Sequence, residues 1–133
     1  MNRFLTSVAE VLEVDEVGLE TVFRETEGWC SLKAFGLLVM LENDYSAPVS
    51  IERFLKLSTV RDLFREAALA LAAEVFSVPR ETLGDEAVRA EIPRWDSVNH
   101  LRLTMEFEKR FGGAFALEEI PALSSIDDFI REC

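Results

Sequence analysis

The sequence predicts an all-α protein: two tandem small antiparallel helical bundles joined by a continuous helix. Three observations carry this. Apolar residues recur at helical spacing through the 133-residue chain. The chain repeats itself at a shift of 66. The segment between the copies contains no glycine or proline.

The repeat sets the plan. Residues 29–63 lie on 95–129 without a gap, with eight of 35 positions identical. Trp29/Trp95, Ser31/Ser97, Leu37/Leu103, Glu42/Glu108 and Ser58/Ser124 are among them. Upstream, AEVLEV from Ala9 matches AEVFSV from Ala73 at a shift of 64, so the second copy has a two-residue insertion in its loop. The expected domains are 1–64 and 65–133.

In the first copy, Phe4, Val8, Val11 and Leu12 mark a first helix. A polar loop with Gly18 and Gly28 follows. Leu32, Phe35, Leu38, Val39 and Leu41 define a second helix, ending near residues 43–47 with Pro48 beyond. Ile51 to Leu55 reads as one short helical turn. Thr59, with Asp62 three residues on, fits a capping box at the start of the last helix. The run from Thr59 to Phe76 has no breaker and is rich in helix formers. It predicts one continuous helix of about 27 Å, at ~1.5 Å per residue. A hairpin burying Phe64, Leu69 and Leu71 is the alternative. In the second copy, Leu69, Ala72, Ala73 and Phe76 line the first helix. A loop over residues 79–95 leads to a helix from Ser97 to Phe111, stopped by Gly112 and Gly113. Ser124 with Asp127 fits a second capping box.

Net charge is −11, shared between residues 1–64 and 65–133. Such a surface repels phosphate backbones and argues against nucleic-acid binding. It favours basic patches on partner proteins. No apolar run reaches membrane-spanning length and no secretory signal pattern is present, so a soluble cytoplasmic protein is expected. Two cysteines, Cys30 and Cys133, do not make a disulfide framework.

The chemistry-bearing stretches are RWDSVNH from Arg94 and GWCSLKA from Gly28. Each puts a serine two places after a tryptophan at the start of a helix. Asp96 or Ser97 is a natural N-cap. Nucleophilic catalysis is a poor fit, because the single histidine, His100, has no evident third group to orient it and Ala34 replaces it in the first copy. No glycine-rich phosphate loop and no Cys/His metal cluster appears. Trp29 and Trp95 are expected to pack the loops onto the core, each indole N–H finding a carbonyl. Met40 is expected to face the core or a boundary between copies.

A DSV triplet at a helix start, inside a duplicated acidic helical unit with a long loop after its first helix, resembles the acyl carrier protein family of phosphopantetheine-binding domains. The resemblance covers nearly the whole chain, once per copy. The family's usual motif is Gly-x-Asp-Ser-Leu or Ile; here Arg94 stands in place of the glycine and Val98 follows the serine. The resemblance implies a non-enzymatic carrier of acyl thioesters for fatty-acid, polyketide or related biosynthesis, with bundles of the acyl-carrier type. It implies a covalent 4′-phosphopantetheine arm on Ser97, with Ser31 as a second attachment site. Asp96, Val98, Met105 and Glu106 would contribute recognition. The implied partners are a phosphopantetheinyl transferase, acting with magnesium, and acyl-loading and biosynthetic enzymes. A helix N-terminus suits an attached phosphate through its free N–H groups and dipole. Cys30 stands where the second copy has Asp96, so Ser97 is expected to be the principal site and Ser31 the poorer one. The rival readings are an aminoacyl or peptidyl carrier of a nonribosomal pathway, and a helical interaction module without an arm.

Overall fold

The computed structural model describes residues 3–84 and 87–132; among these the regular structure is helical, without a named strand. The first half opens with α1 (Arg3–Leu12), which buries Phe4, Val8, Ala9 and Leu12. A loop leads to α2 (Ser31–Tyr45), which stops where Ser46 turns left-handed at φ 52°. The short α3 (Ile51–Phe54) is capped by the Ser50 hydroxyl, which accepts from the Arg53 N–H at 3.1 Å. Thr59 and Asp62 form the expected capping box of α4 (Val60–Phe76). That helix runs 17 residues without interruption, about 25 Å at ~1.5 Å per residue. The continuous helix is therefore present, and no hairpin forms at its centre.

In the second half, α5 (Ser97–Phe111) ends at Gly112, whose φ of 79° is one that side-chain-bearing residues rarely adopt. A final helix, α6 (Ile126–Glu132), closes the described chain. The expected Ser124–Asp127 box falls one residue short. Asp128 N–H donates to the Ser125 hydroxyl at 3.2 Å, and the Asp128 carboxylate accepts from the Ser124 N–H at 2.9 Å. Asp127 instead reaches Arg65 on α4 at 3.1 Å. The repeat itself places Thr59 on Ser125 and Asp62 on Asp128.

Each loop is pinned in the same way to the start of the last helix of its half. Val60 N–H donates to Thr21 O at 2.9 Å and Phe23 N–H to Ser58 O at 3.3 Å. At the equivalent places, Ile126 N–H donates to Ala87 O at 3.1 Å and Arg89 N–H to Ser124 O at 2.7 Å. These bonds give each loop an isolated antiparallel bridge, Val22 to Thr59 and Val88 to Ser125.

The expectation of two separate small bundles is not confirmed, because the buried side chains form one cluster drawn from both halves. α4 is their common spine. It packs against α1 and α2 of the first half and α5 and α6 of the second, and α1 also meets α5. Its alanines at 67, 68, 72 and 73 are all buried, and small side chains let neighbouring helices approach closely. Where the halves meet, Phe64 stacks on Phe4 at 4.8 Å and lies 4.8 Å from Phe111. Tyr45 and Phe111, equivalent residues of the two copies, stack on each other at 5.4 Å and 13°. Burial pushes the Tyr45 phenol above its ordinary range, and its hydroxyl pairs with the Ser7 hydroxyl at 3.3 Å. At the surface, the Arg3 guanidinium donates to Lys109 O at 2.9 Å, satisfying an end carbonyl of α5 from the first half. Buried Glu66 on α4 accepts from Arg53 of the first half at 2.8 Å and lies 3.6 Å from Arg80 of the second.

Leu32 and Phe35, two of the apolar residues that mark α2, are 77% and 63% exposed. The core face is Leu37, Met40, Leu41 and Tyr45. α2 is apolar nearly all round, so periodicity alone could not orient it. Cys30 is free and exposed, and Cys133 lies outside the described residues.

Candidate functional site

Both serines occupy the first position of a 15-residue helix, and both are exposed. Neither hydroxyl makes a hydrogen bond among the described residues. The free N–H groups and dipole of such a helix start favour a phosphate ester there. The arrangement therefore fits an arm attached through phosphate at either serine.

The two helix starts are built differently. In the second half, Asp96 is the N-cap, and its carboxylate accepts from Asn99 N–H at 2.9 Å. The Asn99 amide donates in turn to Arg94 O at 2.7 Å. Trp95 is 3% exposed and packs on Phe76 and Phe129 at 5.3 and 6.0 Å. A carbonyl was the expected partner of its indole N–H, but the N–H donates instead to Nδ1 of His100 at 2.9 Å. An indole nitrogen only donates, so Nδ1 must accept. Nε2 then carries the ring proton and donates to Ile120 O at 2.7 Å. His100 is buried, with both nitrogens occupied away from Ser97. It is not placed as a base for that serine, so the structure gives a hydrolase no support. Sequence reasoning missed this link. The signal was available, since a histidine on the buried stripe with Leu103 and Phe107 needs two partners.

In the first half, Cys30 holds the N-cap position with an extended backbone and no side-chain hydrogen bond to the helix. Ala34 offers no counterpart to His100. Trp29 is half-buried, edge-on to Phe23 at 5.6 Å. Gly28 sits at φ 81°, and a Cβ there would lie 2.8 Å from the Lys33 ammonium nitrogen. Arg24 ties this loop down instead. Its guanidinium donates to Phe54 O at 2.8 Å and to Leu57 O, and lies 4.6 Å from the centre of the Phe23 ring.

Around each serine the repeat leaves matched apolar side chains in the open. Leu32, Phe35 and Ile51 correspond to Val98, Leu101 and Leu117, and all six are between 54% and 84% exposed. Met105, two turns beyond Ser97, is also exposed. Met105 and half-exposed Glu106 edge a groove of about 280 Å³ between α4 and α5, beside Arg102 and Arg110. Among the described residues, no group of three His, Cys, Asp or Glu side chains could hold a metal ion, and no helix is long and apolar enough to cross a membrane.

Comparison with known proteins gives one family match, over the first half. Residues 2–67, just under half the chain, match the family model described as phosphopantetheine attachment site. This supports the acyl carrier family. Domains of that family bind 4′-phosphopantetheine covalently and are carriers, not catalysts. The match falls on the half with Cys30 before its serine, not on the half with Asp96. No curated protein and no solved structure matches the chain.

Proposed function

We propose that this protein is a double carrier: two acyl-carrier-like units, residues 1–64 and 65–133, fused through α4. Ser97 is its principal attachment site and Ser31 a weaker one. The observation that carries the choice of Ser97 is the capped helix start, where Asp96 stands immediately before an exposed serine hydroxyl. A phosphopantetheinyl transferase would present coenzyme A to that hydroxyl. The serine oxygen forms a bond to the phosphorus next to the pantetheine, and the pyrophosphate P–O bond breaks. Adenosine 3′,5′-bisphosphate leaves, and the hydroxyl proton passes to a base on the transferase. The Asp96 carboxylate suits recognition of magnesium-bound coenzyme A, whereas Cys30 puts no carboxylate at the matching position of the first half.

The cargo is an acyl thioester of fatty-acid, polyketide or related biosynthesis, loaded and consumed by separate cytoplasmic enzymes. Val98, Leu101 and Met105 present an apolar ridge to those enzymes, with Glu106 at its edge. The net charge of −11 attracts basic surroundings on them.

A second reading rests on the family match to residues 2–67. In it, Ser31 takes the arm and the second half supports it. One experiment separates the two. The protein is treated with a transferase, magnesium and coenzyme A, and the modified peptides are mapped by mass. Ser97→Ala is expected to abolish most labelling and Ser31→Ala to change it little. The reverse pattern establishes the second reading. No labelling at either serine leaves an interaction module without an arm.

A further inference from the structure

We infer that His100 is a positioning residue for Ser97, acting through Trp95; the inference rests on the carrier reading above. Trp95 lies two residues before the serine, and its ring is the deepest anchor of the loop that delivers Ser97. That ring is held from three sides. Phe76 of α4 and Phe129 of α6 pack on it, and His100 of α5 accepts its N–H at 2.9 Å. The imidazole is fixed in turn by Ile120 O at 2.7 Å and lies edge-on to Phe129 at 5.7 Å. One chain of hydrogen bonds thus runs from the loop before Ser97, through the first turn of α5, to the turn before α6.

The chain fixes more than a ring. Trp95 N–H donates to Ile92 O at 3.0 Å, and the next residue, Asp96, sets the extended backbone from which α5 begins. If the indole loses its acceptor, the loop can rotate about Trp95 and Asp96. The Ser97 hydroxyl then leaves the direction in which a transferase must meet it. Reactions that depend on placing two atoms in line are sensitive to displacements of about 1 Å. The first half has the matched carbonyl, Phe54 O, but satisfies it with Arg24 from the loop. Its serine-bearing helix has no part in that bond.

The test measures the rate of arm transfer to Ser97 in the full-length protein, on a Ser31→Ala background, across carrier concentrations. Three variants are compared: His100→Ala, His100→Gln and Trp95→Phe. Transfer at saturating carrier should fall about tenfold in His100→Ala and in Trp95→Phe. The double variant should be no worse than either single one, since both remove the same link. Glutamine can accept and donate at once, so His100→Gln should recover most of the rate. Thermal midpoints are measured alongside. Should His100→Ala fail to fold, Trp95→Phe decides, because it keeps a ring in place and removes the N–H. Unchanged transfer in a folded Trp95→Phe protein overturns the inference while the carrier reading stands. An unmodified wild-type protein overturns both. Exchange of the Trp95 indole proton, read by NMR without any transferase, distinguishes a further failure. Fast exchange in the wild type would mean that the His100 link does not persist in solution and the inference falls on its own.

Discussion

Phe54 and Ile120 are equivalent residues of the two halves, and each gives its carbonyl to a side-chain nitrogen. In the first half the donor is Arg24, reaching from the loop. In the second it is His100, reaching from the helix that begins with Ser97. The same backbone requirement is met, but the consequence differs. Arg24 holds its loop to α3 and leaves the start of α2 with an extended Cys30 and no side-chain cap. His100 holds Trp95, and with Asp96 and Asn99 it ties the start of α5 into a hydrogen-bonded frame. Both halves expose the serine and a matched apolar rim, but they differ in the hydrogen bonds that surround the helix start. The family match falls on the first half, whose helix start carries no side-chain cap.

The halves differ locally while resting on a common core. Phe64→Ala tests that most strongly. Phe64 is fully buried between Phe4 and Phe111, and removing such a ring costs about 3–5 kcal/mol. Each half carries one tryptophan, so Trp29 and Trp95 report on the halves separately in single Trp→Phe backgrounds. Urea unfolding should move to lower concentration by the same amount at both tryptophans. If only Trp29 shifts, the halves are independent bundles and the divergence of their helix starts needs no shared support.

The caps come next in size. Asp96→Ala removes a side-chain acceptor from the first turn of α5 and should cost about 1 kcal/mol. Cys30→Ala should cost little, as Cys30 caps nothing. Cys30→Asp should stabilise by about 1 kcal/mol through the missing cap. Under the carrier reading it should also raise labelling at Ser31. Stabilisation without labelling would show that the presentation of the first serine is limited by something other than the carboxylate, with Lys33 and the absence of a His100 counterpart the nearest differences.

Much of this architecture was legible in the residues. The helices follow from apolar spacing, the uninterrupted α4 from eighteen residues without a breaker, and the stops from the polar run before Pro48 and from Gly112. Local rules act on neighbours along the chain, and these features are local. What the spacing could not give is how the halves meet. Phe4, Tyr45, Phe64 and Phe111 are each plain core residues of one helix, and nothing in their own neighbourhoods says that they share one cluster. The orientation of α2 was hidden because Leu32 and Phe35 add apolar character to the outer face. The His100 link was hidden for the opposite reason. A histidine near a serine invites a chemical role, whereas burial makes it a structural bridge between residues 95 and 120.

The smallest predicted effect concerns the matched caps of α4 and α6. Asp62 accepts from Ser58 and Thr59 N–H groups at 2.8 and 3.1 Å. Asp128 accepts from the Ser124 N–H and hydroxyl at 2.9 and 3.0 Å and also pairs with Arg131. Burial pushes the Asp128 carboxyl up. The bonds from Ser124 and the Arg131 guanidinium outweigh that and hold it below the ordinary carboxylate range. A carboxyl whose folded value is depressed stabilises the protein fully above its unfolded value, near ~3.9, and loses that contribution as pH falls through the folded value. Asp128→Asn removes the titration but keeps the shape. The stability gap between wild type and Asp128→Asn should therefore be constant from pH 7 down to about 5 and close progressively below about 3.9. Urea midpoints across that range measure it. A gap that persists unchanged in acid would mean that Asp128 stabilises α6 by hydrogen-bond geometry alone. Its negative charge near the first turn of the helix would then contribute nothing.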